Sequence, residues 1–148
     1  MFRAIFRSVF YIALIVLSMA ANVYFHELGH FAVADAFGLT PNVHFAGYDE
    51  LKEVAFSAHS VPLAYVSYTV SSSSLQDFLI AGAGPLVNIL MAILLAVMYA
   101  YTPLKERLSV KMAYFIVFIP TILAVVSNLI PMAGTDGYLI LKALSVLF

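Results

Sequence analysis

Apolar residues run almost unbroken from Val9 to Phe25, and the run continues at helical spacing through His30 toward Phe37. A helix rises 1.5 Å per residue, so about 20 residues cross a hydrocarbon core. The pattern therefore predicts a first membrane helix over about 8–37, ended by Gly38 and Pro41. Two further apolar runs predict helices over about 78–101 and about 112–132, joined by a short charged connection from Thr102 to Lys111. A terminal half-helix over about 137–148 is apolar but too short to span. Between the first two runs, over 38–77, the pattern changes. Asp49, Glu50, Lys52 and Glu53 cluster, Ser71 to Ser74 form a polar run, and Val54 to Val70 alternates loosely. That stretch reads as one or two short strands, with Pro62 confining one to an edge. It is too apolar for a free loop. It is expected to dip into the membrane or lie over a site, where non-helical backbone must be buried in protein or line a wet cavity. The expected fold is an all-α membrane protein: three core transmembrane helices, a short C-terminal helix, and a membrane-associated β-element between helices one and two. One polytopic domain covers 1–148.

Composition agrees with this pattern. The chain has 148 residues, 64% of them hydrophobic and 10% charged, with a mean hydropathy of +1.01; a soluble domain is nearer half apolar and a quarter charged. This is the composition of an integral membrane protein in a lipid bilayer. A net charge of −1 offers no basic surface for nucleic acid. Without cysteine there is neither a disulfide framework nor a thiolate metal ligand. Without tryptophan, an interfacial belt must use tyrosine, with phenylalanine alongside. Arg3, Arg7 and Ser18-Met19-Ala20 also resemble a cleavable signal peptide, but the apolar run flows onward into His26-Glu27-Leu28-Gly29-His30 without a polar break.

That pentapeptide is the main chemical signal. Helical positions i and i+4 lie on one face, so His26 and His30 can both present an imidazole to one metal ion. Glu27 follows directly, within reach of a water at that metal. Ionisable residues inside a span are costly and mark functional sites by default. A catalytic zinc takes three protein ligands. Most other acidic residues fall in loops, whereas Asp136 stands at a helix break, Asn128-Leu129-Ile130-Pro131-Met132-Ala133-Gly134-Thr135-Asp136-Gly137. Breaks of this kind at membrane depth mark sites. Asp136 is the expected third ligand. Its bland alternative is to cap a terminal helix starting at Gly137. His44 and His59 read as ordinary loop histidines. Gly82-Ala83-Gly84-Pro85 opens the second span with small residues that let helices approach closely, and Asn88 reads either as interhelical glue or as a site residue.

Three separated motifs resemble the site-2 protease family of intramembrane zinc metalloproteases. They are His26-Glu27-Leu28-Gly29-His30 followed by Phe31 to Ala34, Ala81 to Asn88 with its G-P-x-x-N pattern, and Asn128-x-x-Pro131-x-x-x-x-Asp136-Gly137. The resemblance implies one zinc ion held by His26, His30 and Asp136, with Glu27 as general base. It also implies a membrane-dipping β-element, and a role for Asn128 in holding substrate backbone; Asn88 joins it as a candidate substrate-binding residue. The implied activity is hydrolysis of peptide bonds within or near transmembrane segments of membrane-protein substrates. The PDZ and CBS domains common in that family have no counterpart in these 148 residues, so this reads as a minimal member or a fragment. The rival class is a membrane-embedded metal-binding or transport protein using the same ligands. Glu27 discriminates between them, since a carrier needs no base beside its metal.

Overall fold

A computed structural model describes residues 2–47, 63–71 and 73–148. In chain order it contains α1 (Phe2–Ala36), β1 (Asn42–Phe45), β2 (Ala64–Ser67), α2 (Ser74–Tyr101), α3 (Leu108–Leu129) and α4 (Asp136–Leu147). Three stretches, Ile5–Ala36, Ser74–Tyr101 and Leu108–Leu129, are long and apolar enough to cross a membrane. The chain is a multi-pass integral membrane protein, helical apart from one small sheet among the described residues.

The large apolar side chains point outward. Phe10, Leu17, Leu90, Leu94, Phe115 and Leu123 are all at least half exposed, as suits a surface solvated by lipid. The interior is made of small and polar residues instead: Ala34, Ala81, Ala83, Ala92 and Ala143, with Ser18, Asn22, Asn88 and Thr121. Lipid tails are as apolar as leucine, so helices in a bilayer associate through close backbone approach and hydrogen bonds rather than by hiding apolar area. Gly29 shows the first of these. A Cβ there would lie 2.7 Å from the Ala83 carbonyl oxygen and 2.9 Å from Val87 Cγ2, so α1 and α2 meet almost backbone to backbone. The α1–α3 contact shows the second. Asn22 Nδ2 donates to the Ser18 carbonyl at 2.8 Å and to Thr121 Oγ1 at 3.0 Å, and Thr121 Oγ1 donates to the Val117 carbonyl at 2.9 Å. The segment that resembled a cleavable leader is thus tied into the fold on both sides of Ala20.

The helix ends follow local chemistry. Gly38 takes a φ of +72°. Its N–H donates to the Asp35 carbonyl at 2.8 Å while that of Leu39 reaches back to Ala34 at 3.1 Å, a Schellman stop. Leu39 and Ala34 then pack with Ile80, which fixes the direction in which the chain leaves α1. At α2 the Ser73 hydroxyl accepts from Gln76 N–H, and Asp77 sits in the first turn, where a negative charge complements the helix dipole.

Two expectations about local structure need correcting. The helix 78–101 begins four residues earlier, because the polar Ser71 to Ser74 run supplies its cap rather than a loop. Pro85, expected near a first turn, lies well inside α2. It removes the N–H that would meet the Ala81 carbonyl, and it is tolerated in a helix that is packed on several sides.

The β-element is an antiparallel hairpin with Asn42 opposite Ser67 and His44 opposite Tyr65. β2 falls inside the predicted Val54–Val70 stretch, but its partner β1 lies just beyond Pro41, where no strand was expected. The acidic cluster at 49–53, His59 and Pro62 lie outside the described residues. Stacking of Phe45 on Tyr24, centroids 6.4 Å apart, seats the hairpin against α1. α2 is the central helix and touches α1, α3 and α4.

Candidate metal centre

His26 and His30 stand one turn apart on the buried face of α1, 6% and 8% exposed. Their Nε2 atoms lie 3.1 Å apart. Asp136, from the far end of the chain, brings Oδ2 to 2.9 Å of His26 Nε2 and Oδ1 to 3.3 Å of His30 Nε2. Ligands held about 2.0–2.1 Å from a tetrahedral zinc stand about 3.3 Å from one another; the three side chains are at that spacing, slightly contracted.

Proton positions sharpen the point. His30 Nδ1 lies 2.6 Å from the Ile80 carbonyl, an acceptor only, so Nδ1 carries the hydrogen and Nε2 of the neutral ring is a bare lone pair. His26 Nδ1 lies 3.1 Å from the Asn88 amide. That amide can sit in its slot either way. With Oδ1 against the ring it accepts from Nδ1–H, and it removes the Asn88 Oδ1 that is otherwise buried without a donor. His26 Nε2 is then a lone pair too. Asp136 Oδ2 is itself buried with no hydrogen-bond donor. In these tautomers two nitrogen lone pairs and a carboxylate converge on one point. A divalent cation satisfies such a set, and the Ile80 carbonyl and Asn88 are the outer partners that metal-bound histidines require. The donors, two imidazoles and one carboxylate, suit zinc.

Clearance at two glycines and a cap at Thr135 make the arrangement possible. A Cβ on Gly84 would collide with His30 Nε2 and lie 2.7 Å from His26 Nε2, so the glycine of α2 forms the floor under both rings. A Cβ on Gly137 would run into the Leu129 carbonyl, so α4 can start hard against the end of α3. Thr135 rather than Asp136 caps α4, its hydroxyl accepting from Tyr138 N–H at 3.4 Å. The capping alternative for Asp136 is thereby corrected, and its carboxylate is left free to face the histidines.

A cavity of about 490 Å³ opens beside these groups, with Glu27, Asn128, Tyr65, Tyr68 and Lys142 in its walls. Glu27 is 7% exposed and shares the cavity with both histidines and Asp136. The hairpin roofs the cavity through β2. Asn128 lies in its wall. Asn88, 1% exposed, is not part of that wall; it holds the opposite nitrogen of His26. Removing that support should weaken metal binding: for Asn88→Leu the expected fall in zinc affinity is about 10–100-fold, read by competition with a chromogenic chelator. Unchanged affinity would show that His26 needs no such partner.

Beyond the metal, Tyr68 is pushed above the usual phenol range by burial and by the Asp77 carboxylate nearby, so it stays a protonated donor at neutral pH. His44 is on β1, not in a loop; it bonds Ser67 Oγ at 2.7 Å and stacks on Tyr65, away from the metal ligands. Sequence reading did not find Gly84 as ring clearance, the Ile80 carbonyl, Tyr65, Tyr68 or Lys142. The close-packing motif Gly82-Ala83-Gly84-Pro85 was the one available signal, and it does not say which glycine faces a ring.

Comparison with known proteins matches the family model described as Peptidase family M50 over residues 13–105. That stretch includes the His26–His30 and Gly82–Asn88 motifs, while Asp136 is joined to them by geometry. No curated protein and no solved structure matches the chain. With more than half of the chain matched, and three long apolar helices around a His-His-Asp cluster, the chain belongs to peptidase family M50, the site-2 protease family of integral-membrane zinc metalloproteases.

Proposed function

We propose that this protein is a zinc metalloendopeptidase that hydrolyses peptide bonds within or near transmembrane segments of membrane-protein substrates, and that its helices and hairpin act as one catalytic unit. The observation that carries this is the convergence of ligand atoms from His26, His30 and Asp136 on one point, with Glu27 in the wall of the same cavity. These three residues would hold one zinc ion. Zinc, when bound, supplies a Lewis acid that polarises the scissile carbonyl and stabilises charge developing on its oxygen.

The chain's own groups do the rest. Glu27 takes the proton from the attacking water and passes it to the leaving amine. A helical substrate hides its backbone, so it must unwind locally before it can be cut. β2 has one edge paired with β1 and forms part of the cavity wall. An unwound segment pairing along its other edge by β-addition would lie in the cavity. Asn128, on the last turn of α3 and in the cavity wall, would hold substrate backbone. The carrier reading gives Glu27 no task, and no observation favours it.

The test is cleavage of a transmembrane-helix peptide by the purified full chain in detergent. Activity is expected to disappear when zinc is stripped by a strong chelator and to return on adding zinc back. Cleavage that survives complete removal of metal, checked by elemental analysis, would overturn the assignment.

A further inference from the structure

We propose that Lys142 is a specificity-determining residue that selects substrates carrying an acidic side chain a few residues from the scissile bond. The proposal rests on the protease reading above and adds to it the chemical class of the substrate segment.

Lys142 lies on α4, in the wall of the same cavity as Glu27, His30 and Asp136, and is the one cationic side chain there besides the histidines. It is also the one lysine among the described residues whose ammonium has no partner. Lys105 Nζ donates to the Ala100 carbonyl at 3.2 Å, and Lys111 Nζ pairs with Glu106 at 2.8 Å. Among the described residues no carboxylate lies within 4 Å of Lys142 Nζ. Of the cavity's three carboxylates, Asp136 faces the two histidines, Asp77 takes the Ser71 hydroxyl, and Glu27 lies in the wall beside the histidines. The rest of α4 after Asp136 carries no charge. Lys142 is exposed on α4, and a cation in a cavity wall favours an anionic side chain in a segment bound there.

Distance along α4 says where that partner lies. Lys142 is six residues beyond Asp136, about 9 Å along the helix axis at 1.5 Å per residue. An extended substrate advances about 3.3 Å per residue. A carboxylate two to four residues from the bond being cut is therefore in register with the ammonium. Desolvation inside the cavity strengthens such a pair relative to one in water. An uncharged residue at that position forgoes this attraction, and a cationic one meets like charge, so the preference runs Glu over Gln over Lys.

The experiment uses the full chain in detergent with a set of C-terminally amidated transmembrane peptides, so that the terminal carboxylate cannot compete. Glu, Gln or Lys is placed singly at two, three and four residues on either side of the scissile bond. The expected result is one position at which wild type prefers Glu over Gln by about five- to tenfold in kcat/KM. That ratio should fall to about one in Lys142→Gln and turn in favour of the Lys peptide in Lys142→Glu. Binding of the same fluorescently labelled peptides to Glu27→Gln is measured in parallel. A Glu preference in binding that vanishes in the Glu27→Gln/Lys142→Gln double variant supports the subsite even if no peptide is cut, which separates its failure from failure of the protease reading. Equal Glu-to-Gln ratios in wild type and both Lys142 variants, in cleavage and in binding, would overturn the proposal and return Lys142 to an anchor at the membrane surface.

Discussion

Glu27→Gln is expected to lose cleavage by about 10²–10⁴-fold in kcat, the usual contribution of a positioned acid–base group, while zinc content stays at the wild-type level. Glutamine has nearly the shape of glutamate and keeps one oxygen acceptor, so packing in a pocket where Glu27 is 7% exposed is disturbed little. The amide cannot take up a proton from water or return one to a leaving amine. Glu27 is also not a member of the convergent His26, His30 and Asp136 set, so metal binding should not depend on it. Peptide cleavage and elemental analysis on the same samples separate the two effects. Cleavage at the wild-type rate would remove Glu27 from the mechanism, and loss of zinc with activity would make it a ligand or a support instead.

Gly84→Ala is expected to be almost as damaging by a different route. The added methyl would occupy the space of His30 Nε2 and approach His26 Nε2 to 2.7 Å, which real carbon atoms do not tolerate. The neighbours on both sides are ring nitrogens on a helix that already meets α2 backbone to backbone at Gly29, so α1 has little freedom to back away. The imidazoles must rotate out of line with Asp136. Zinc affinity should fall by at least about 100-fold, comparable to or beyond the loss of an outer-shell partner, and activity should fall with it. Gly82→Ala is the matched control. A Cβ at Gly82 meets nothing within 4 Å, so that change should leave zinc binding intact and favour the helix by up to about 1 kcal/mol. Titration with a competing chelator and far-UV circular dichroism on both variants check this. Equal zinc affinity in the two would show that the clearance under the rings is not needed.

The contrast between these two glycines shows what a sequence can and cannot reveal here. Both stand in one Gly-Ala-Gly-Pro motif, and both read as small residues at a helix contact. Which of them lies beneath the histidines depends on the rotation of α2 against α1, and that is set by the packing at Gly29, Ala83 and Val87. Asn88 followed the same rule. Its type suggested a polar contact inside the membrane, and only the structure shows that it bonds His26 Nδ1. The hairpin was half legible. β2 sits in a stretch rich in β-branched and aromatic residues, but β1 is four residues long and gains its strand character from pairing with β2, a non-local contact that no local pattern encodes.

The membrane spans, the candidate metal-binding pair and its adjacent carboxylate could all be read from the chain alone. Span length is a property of contiguous apolar residues, and two side chains four apart on a helix share a face whatever surrounds them. Asp136 could be named as a third ligand candidate from its helix break, but its meeting with the histidines, the cavity and Lys142 within its wall belong to a different level. Asp136 reaches His26 and His30 because Thr135 takes over the helix cap, because Gly137 lets α4 start against Leu129, and because Gly84 leaves room beneath the rings. The cap is local to the start of α4, but the other two are close approaches between separate helices, where a single methyl group is enough to change the outcome.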